Sequence, residues 1–243
     1  MIAELGPAAL LAAMAILVVA AAIQSTVGFG ANILAVPPLL LLDPRLVPGP
    51  IILALLGVNL SMVIRNRRAT SFGPIGTVLS GRLVGTAAGI WALTLLSDDG
   101  LALLVAVLVL AIVAITAIGL QAPRTRPNLI TAGLVSGFSA STAALGGPPI
   151  AVLYADADGP EIRGSLGALF FAGNVVSLLG LAAAGLLGWD RVVLGLVLAP
   201  AAFVGFGASR WLVPVLDRGH TRTAVLSLSA AAAIGLLIRL TTG

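Results

Sequence analysis

Two matching clusters of small and polar residues are where this sequence could do chemistry. Ser25-Thr26 stand just before Gly28-Phe29-Gly30, with Asn32 behind them; Ser141-Thr142 stand before Gly146-Gly147-Pro148-Pro149. Each cluster interrupts an apolar run. A helix that restarts after such a break presents free backbone N–H groups and the positive end of its dipole. Two such ends meeting near the membrane midplane make an anion site without a lysine, and all 13 basic residues here are Arg. Gly28, Gly30, Gly146 and Gly147 let backbone approach a ligand, while Ser25, Thr26, Ser141 and Thr142 can donate hydroxyl hydrogen bonds. The plainer reading is that Gly and Pro mark tight turns and that Ser and Thr cap or pack helices. One break leaves the two readings even. Two breaks in matching positions favour function, because paired interrupted helices mark transporter sites.

Arg82 is the second candidate. It lies about 15 Å into an apolar run at helical rise, and no Asp or Glu lies deep in a span to pair with it. An unpaired charge at that depth is costly, so it marks either a functional site or an arginine satisfied by backbone carbonyls. Asn59 and Asn174 occupy matching places in the runs that follow the breaks, and Gln24 is a further intramembrane amide without a repeat counterpart. Such amides line a site or bond across to a hairpin. Gly81, Gly85 and Gly89 form a small-residue stripe suited to close helix packing, and Trp91 and Trp211 suit interfacial anchors.

The elements that position these residues follow from composition. Of the 243 residues, 59% are hydrophobic and only 9% charged, with a mean hydropathy of +1.15. One soluble core could not bury that much apolar surface, whereas a helix needs only about 20 such residues to span lipid. Apolar segments run over 7–27, 33–42, 47–64, 72–96 and 101–120, then 129–144, 150–154, 164–187, 192–215 and 223–240. The run after Met1–Pro7 has no basic residue before it, so it reads as a retained segment rather than a cleaved signal. The absence of Cys excludes disulfides, thiol catalysis and thiolate metal sites. No catalytic residue, metal ligand set or cofactor motif is present, no acid–base pair serves an enzyme, and no basic-aromatic run serves nucleic acid. His220 sits in a polar loop and carries no assigned chemistry.

The segments repeat. Ser25-Thr26, Gly30 and Ala35-Val36 match Ser141-Thr142, Gly146 and Ala151-Val152 at one offset; Asn59, Val84-Gly85 and Trp91 match Asn174, Val204-Gly205 and Trp211 with small gaps. The expected fold is an all-α integral membrane protein of two inverted repeats, each a broken or re-entrant hairpin plus three transmembrane helices, about 8–10 helical segments in all. The repeats span residues 1–122 and 128–243 around a basic linker at 123–127. Re-entrant hairpins put an odd number of crossings in each half. That gathers Arg65, Arg67, Arg68, Arg124, Arg126, Arg163, Arg218 and Arg222 inside, and leaves Arg45, Arg191 and Arg239 outside with Asp98 and Asp99. Parallel halves would erase this bias.

The stretch Gln24-Ser25-Thr26-Val27-Gly28-Phe29-Gly30, followed by Ala35-Val36-Pro37, resembles the first repeat motif of the sulfite exporter TauE/SafE family. Gly133-Leu134-Val135-Ser136-Gly137-Phe138, followed by Gly146-Gly147-Pro148-Pro149, resembles the second. Ala31-Asn32 depart from the small glycines common at that point of the first motif. The resemblance implies a multi-pass permease of the bacterial inner membrane for sulfite, a sulfonate or another small organic anion. The residues expected to bind it are the four hydroxyl residues, the four glycines, Asn32, Asn59, Asn174 and Arg82. A homodimer and a coupling ion, proton or sodium, stay open. So do three other classes: a passive anion channel, a non-transporting scaffold subunit and a cation carrier.

Overall fold

A computed structural model describes residues 5–216. The segment at 223–240 and the positions Arg218, His220, Arg222 and Arg239 lie outside the described residues. Nine α-helices are described: α1 (Pro7–Val27), α2 (Ala31–Leu42), α3 (Gly49–Asn66), α4 (Ile75–Leu95), α5 (Asp98–Ala117), α6 (Arg126–Ala143), α7 (Gly147–Ala151), α8 (Gly159–Ala183) and α9 (Trp189–Leu216). Single 3-10 turns follow α2 (Pro44–Leu46) and α7 (Val152–Tyr154), and there is no strand among the described residues. Among the described residues, five stretches are long and apolar enough to cross a membrane: Pro7–Val27, Pro44–Asn66, Ile75–Leu95, Gly159–Ala183 and Trp189–Leu212. The chain is an all-helical, multi-pass membrane protein.

Both predicted breaks are present, and both are built by a left-handed residue. Gly28 at the end of α1 has φ 107°, and its N–H reaches back 2.6 Å to the Gln24 carbonyl. Ala144 at the end of α6 has φ 58° and bonds the Ala140 carbonyl at 2.8 Å, while Leu145 bonds that of Ser139 at 2.9 Å. A non-glycine residue there costs roughly 1–2 kcal/mol, so the surroundings must hold it. After the breaks, α2 restarts behind Gly30 at φ 104°. Helix α7 restarts with Pro148-Pro149 in its first turn, where a missing N–H costs little. Asn32 thus falls on the second residue of α2 rather than in the break itself. Helix α2 ends at Asp43, whose carboxylate accepts the Arg45 backbone N–H at 2.8 Å and its guanidinium at 2.7 Å. Burial alone would raise the Asp43 pKa; the Arg45 bonds outweigh it and hold the acid below its ordinary value.

Close packing sets how the helices run. An added Cβ on Gly81 or Gly85 of α4 would collide with the Ile130 or Leu134 carbonyl of α6, and one on Gly89 with Ser141 Oγ. Positions rise together along both helices, so α4 and α6 are parallel. Gly205 of α9 meets the Val18 carbonyl of α1 in the same manner. Val18 and Leu134 precede Ser25 and Ser141 by the same seven residues, so the contact falls at matching positions of the two sequence repeats. Gly57 of α3 faces Phe203 and Gly195 of α9 faces Leu53, which makes α3 and α9 parallel. Gly164 and Gly167 of α8 meet Asn66 and Met62 of α3, which makes those two antiparallel. Small residues let backbones approach this closely where lipid supplies no hydrophobic drive between helices. Trp91 and Trp211 face outward, 68% and 65% exposed, as anchors would.

Valine at Gly85 or at Gly205 must push a backbone carbonyl aside. Each substitution is expected to cost about 1–3 kcal/mol, read as a lower melting temperature of the purified protein. Gly76→Ala, which meets nothing within 4 Å, should change stability by less than about 0.5 kcal/mol.

Candidate anion site

The two breaks converge on one central cavity. It is lined by Gly30, Asn32 and Ile33 after the first break, and by Ala144, Leu145, Gly146, Gly147 and Pro148 at the second. Gln24, Leu55, Asn59, Arg82, Phe170 and Asn174 complete the wall. The cavity encloses about 390 Å3 of space between atoms, part of it open to solvent. Lone helix ends at membrane depth survive only when buried in protein or facing such a cavity.

Among the described residues Arg82, on α4, is the only ionisable one in this lining, and it is 1% exposed. Its guanidinium donates to Ser136 Oγ on α6 at 3.0 Å and to Asn174 Oδ1 on α8 at 3.3 Å. Ser136 in turn donates to the Gly146 carbonyl at 2.6 Å, which ties the arginine to the second break. Its Nε has no partner. A Cβ on Gly173 would overlap the guanidinium, so that glycine makes the space the arginine occupies. The carbonyl oxygens freed by the breaks are not what satisfies Arg82; two side-chain oxygens on neighbouring helices are.

Asn59 accepts from Gln24 Nε2 at 2.6 Å and is 1% exposed, and Asn174 is 7% exposed. The matching asparagines therefore have different partners, an amide in one half and an arginine in the other. Asn32 crosses between the breaks, donating from Nδ2 to the Ala144 carbonyl at 2.6 Å. That bond secures the left-handed residue of the second break. Its Oδ1 is buried without a partner.

The four hydroxyl residues stand behind the cavity rather than in its lining. Thr26 Oγ1 donates to the Ala22 carbonyl at 2.7 Å, Thr142 Oγ1 to that of Phe138 at 2.8 Å, and Ser141 Oγ to that of Gly137 at 2.9 Å. Ser25 Oγ is buried and unpartnered. Gly28 lies against Ile162 of α8, away from the lining. The structure thus gathers Gly30, Asn32, Asn59, Arg82, Gly146, Gly147 and Asn174 in one place, and leaves Ser25, Thr26, Gly28, Ser141 and Thr142 in the layer around it. Sequence reasoning assigned no site role to Ser136, Phe170 or Gly173. Ser136 gave a signal, a lone hydroxyl in the motif preceding the second break; Phe170 and Gly173 are ordinary helix residues until the fold faces them inward. The first break is held from outside the cavity as well, where Arg65 donates to the Ser25 carbonyl at 2.8 Å and Arg163 to that of Thr26 at 3.1 Å.

No metal-binding group of His, Cys, Asp or Glu exists among the described residues. No curated protein and no solved structure matches the chain. The family model described as Sulfite exporter TauE/SafE matches residues 13–236. That family is one of membrane transporters and not of enzymes, and this chain, with its paired helix breaks around a buried arginine, belongs to it.

Proposed function

We propose that the protein is a secondary transporter for a small anion, sulfite or a related sulfonate, bound in the central cavity. The observation that carries this is the cavity wall: both helix breaks, three asparagines and one buried arginine, with no carboxylate lining it among the described residues. A bound anion gives Arg82 the negative partner that its oxygen acceptors do not supply. Gly30 at the start of α2 adds the positive end of a helix dipole, and Gly146 and Gly147 leave the backbone open beside it. Thr26, Ser141 and Thr142 act from behind, where they brace the helix ends that form the site, with Ser25 in the same layer.

Transport then proceeds by alternating access between two inverted repeats, residues 1–122 and 128–243, joined by the linker at 123–127. The helix directions support this reading. Helix α1 runs with α3 and α9, while α6 runs with α4 and against α3, so equivalent helices of the two halves point opposite ways. The arginine-rich ends then lie in the cytoplasm and the Asp43 end lies outside the bacterial inner membrane.

Thermal stabilisation of the purified protein by sulfite, sulfoacetate, sulfate, thiosulfate and acetate tests the proposal. A ligand of the folded state at 100 times its Kd adds about 2.7 kcal/mol. One sulfur oxyanion or sulfonate should give a saturable rise, and Arg82→Ala should abolish it. No rise with any anion in well-folded protein would overturn the anion reading. Equal loss of folded yield and of transport in Arg82→Ala would make the arginine structural. Gly173→Ala gives a second handle, because its methyl group displaces the guanidinium without removing the charge. It is expected to cost about 1–3 kcal/mol of stability and to reduce the anion-induced rise, measured side by side on the same preparation.

A further inference from the structure

The cavity wall is more specific than a positive site requires. Resting on the anion-transport reading, we infer that it takes a singly charged oxyanion carrying one proton, of which hydrogen sulfite is the simplest case, rather than a dianion. Charge is the first argument. Arg82 alone contributes a full positive charge, and no Asp, Glu, His or Lys lines the cavity among the described residues. One negative charge balances it; a second would be buried uncompensated, at a cost of several kcal/mol.

The hydrogen-bond inventory is the second argument. The Asn174 oxygen accepts from Arg82, and the Asn59 oxygen accepts from Gln24. Those bonds leave the two NH2 groups as donors, beside the unpartnered Nε of Arg82. Three donors suit the oxygens of a trigonal oxyanion. Asn32 is different. Its NH2 faces the Ala144 carbonyl, which can only accept, so the amide cannot be turned around. Its Oδ1 is therefore an acceptor with nothing to accept. Sulfite and sulfate dianions carry only acceptors and would set oxygen against oxygen there. A protonated monoanion places its O–H on Asn32 and its charge toward Arg82. Leaving such a buried acceptor unmet costs about 1–3 kcal/mol, which is enough to choose between the two protonation states.

The other titratable groups on the surrounding helices stand outside the lining. Arg65 ends α3, Arg126 starts α6, Glu161 and Arg163 lie in the first turns of α8, Asp43 follows α2, Tyr154 follows α7, and α9 carries Asp190, Arg191 and Arg210. Helix α5 begins with Asp98 and Asp99, and α1 contains no titratable residue. A pH dependence that follows the ligand is therefore separable from one that belongs to the protein.

The test is calorimetric titration of the full-length protein with sulfite, selenite, methanesulfonate and sulfate, all over one pH range that covers the second ionisations of sulfite and selenite. Selenite loses its second proton at a higher pH than sulfite, and methanesulfonate is a three-oxygen monoanion with no proton left to lose. The apparent Kd for sulfite should rise about tenfold per pH unit above its own second pKa. The break for selenite should move up with its pKa, and methanesulfonate should show no break. Asn32→Ala should weaken sulfite about tenfold at low pH and shift methanesulfonate by less than about twofold. If that variant does not fold, the wild-type pH profiles decide alone. Breaks at one common pH for sulfite, selenite and methanesulfonate would assign the titration to the protein and overturn the inference. So would sulfate binding more tightly than methanesulfonate, or sulfite binding improving as pH rises; in either case the anion site itself would stand. No binding by any of the four would bring down the transport reading instead.

Discussion

The rest of this structure depends on a guanidinium that is buried with no carboxylate paired to it among the described residues. Removing a charge from water costs several kcal/mol even after the protein relaxes around it. Arg82 recovers part of that from two neutral oxygens, Ser136 Oγ and Asn174 Oδ1, contributed by two different helices. For both to reach it, α6 and α8 must approach α4 very closely. Gly133 and Gly137 of α6 lie against the Val78 and Arg82 carbonyls, and Gly173 of α8 lies against the guanidinium itself. The small-residue stripe and the buried charge are thus one feature. The glycines permit the approach, and the arginine is what the approach surrounds.

The same backbone problem is solved differently at the two breaks. Each first helix ends inside the protein with carbonyls that need donors. At the end of α1 those donors are cations, Arg65 from α3 on the Ser25 carbonyl and Arg163 from α8 on that of Thr26. A positive charge at a helix C-terminus also opposes the helix dipole. At the end of α6 the donors are neutral: Asn32 on the Ala144 carbonyl and Ser136 on that of Gly146. The first hairpin is therefore clamped from the arginine-rich end of the molecule. The second is clamped from the cavity side, by Asn32 in its lining and by Ser136, which also holds Arg82.

Much of this was legible in the sequence, because breaks are written in residue type. Gly28 and Gly30 are glycines where φ is positive, and Pro148-Pro149 stand where a first helical turn tolerates them. Arg82 and the two asparagines stood out because polar groups in apolar runs need a reason. What the residues could not give was the facing of each side chain. Ser25, Thr26, Ser141 and Thr142 adjoin the breaks in sequence, yet one or two residues on a helix is a turn of 100° or 200° about its axis, and three of the four donate to carbonyls of their own helix. Such back-bonding is always open to a helical Ser or Thr, so chain position alone could not distinguish it from a bond to ligand. Arg65 and Arg163 were visible only as topology markers. Their role at the end of α1 depends on helices that meet across the fold.

The two sequence repeats match at several packing positions and differ in chemistry. Gly85 on Leu134 and Gly205 on Val18 are the same contact made twice, and Asn59 and Asn174 occupy the same place. Yet Asn59 meets a glutamine and Asn174 an arginine, and the residue matching Arg82 in the second half is Ala202. A scaffold of two like halves can rock between two states of similar energy, because the packing gained on one side is of the kind lost on the other. Such a scaffold has no built-in preference for a substrate. On the proposed reading the preference comes from the positions where the match fails: the single charge at Arg82, the partner it gives Asn174, and Asn32, whose counterpart by sequence offset is Pro148. On the proposed transport reading, the matched pattern of the halves supplies the motion, and the departures from it supply the chemistry that a passing ion would meet.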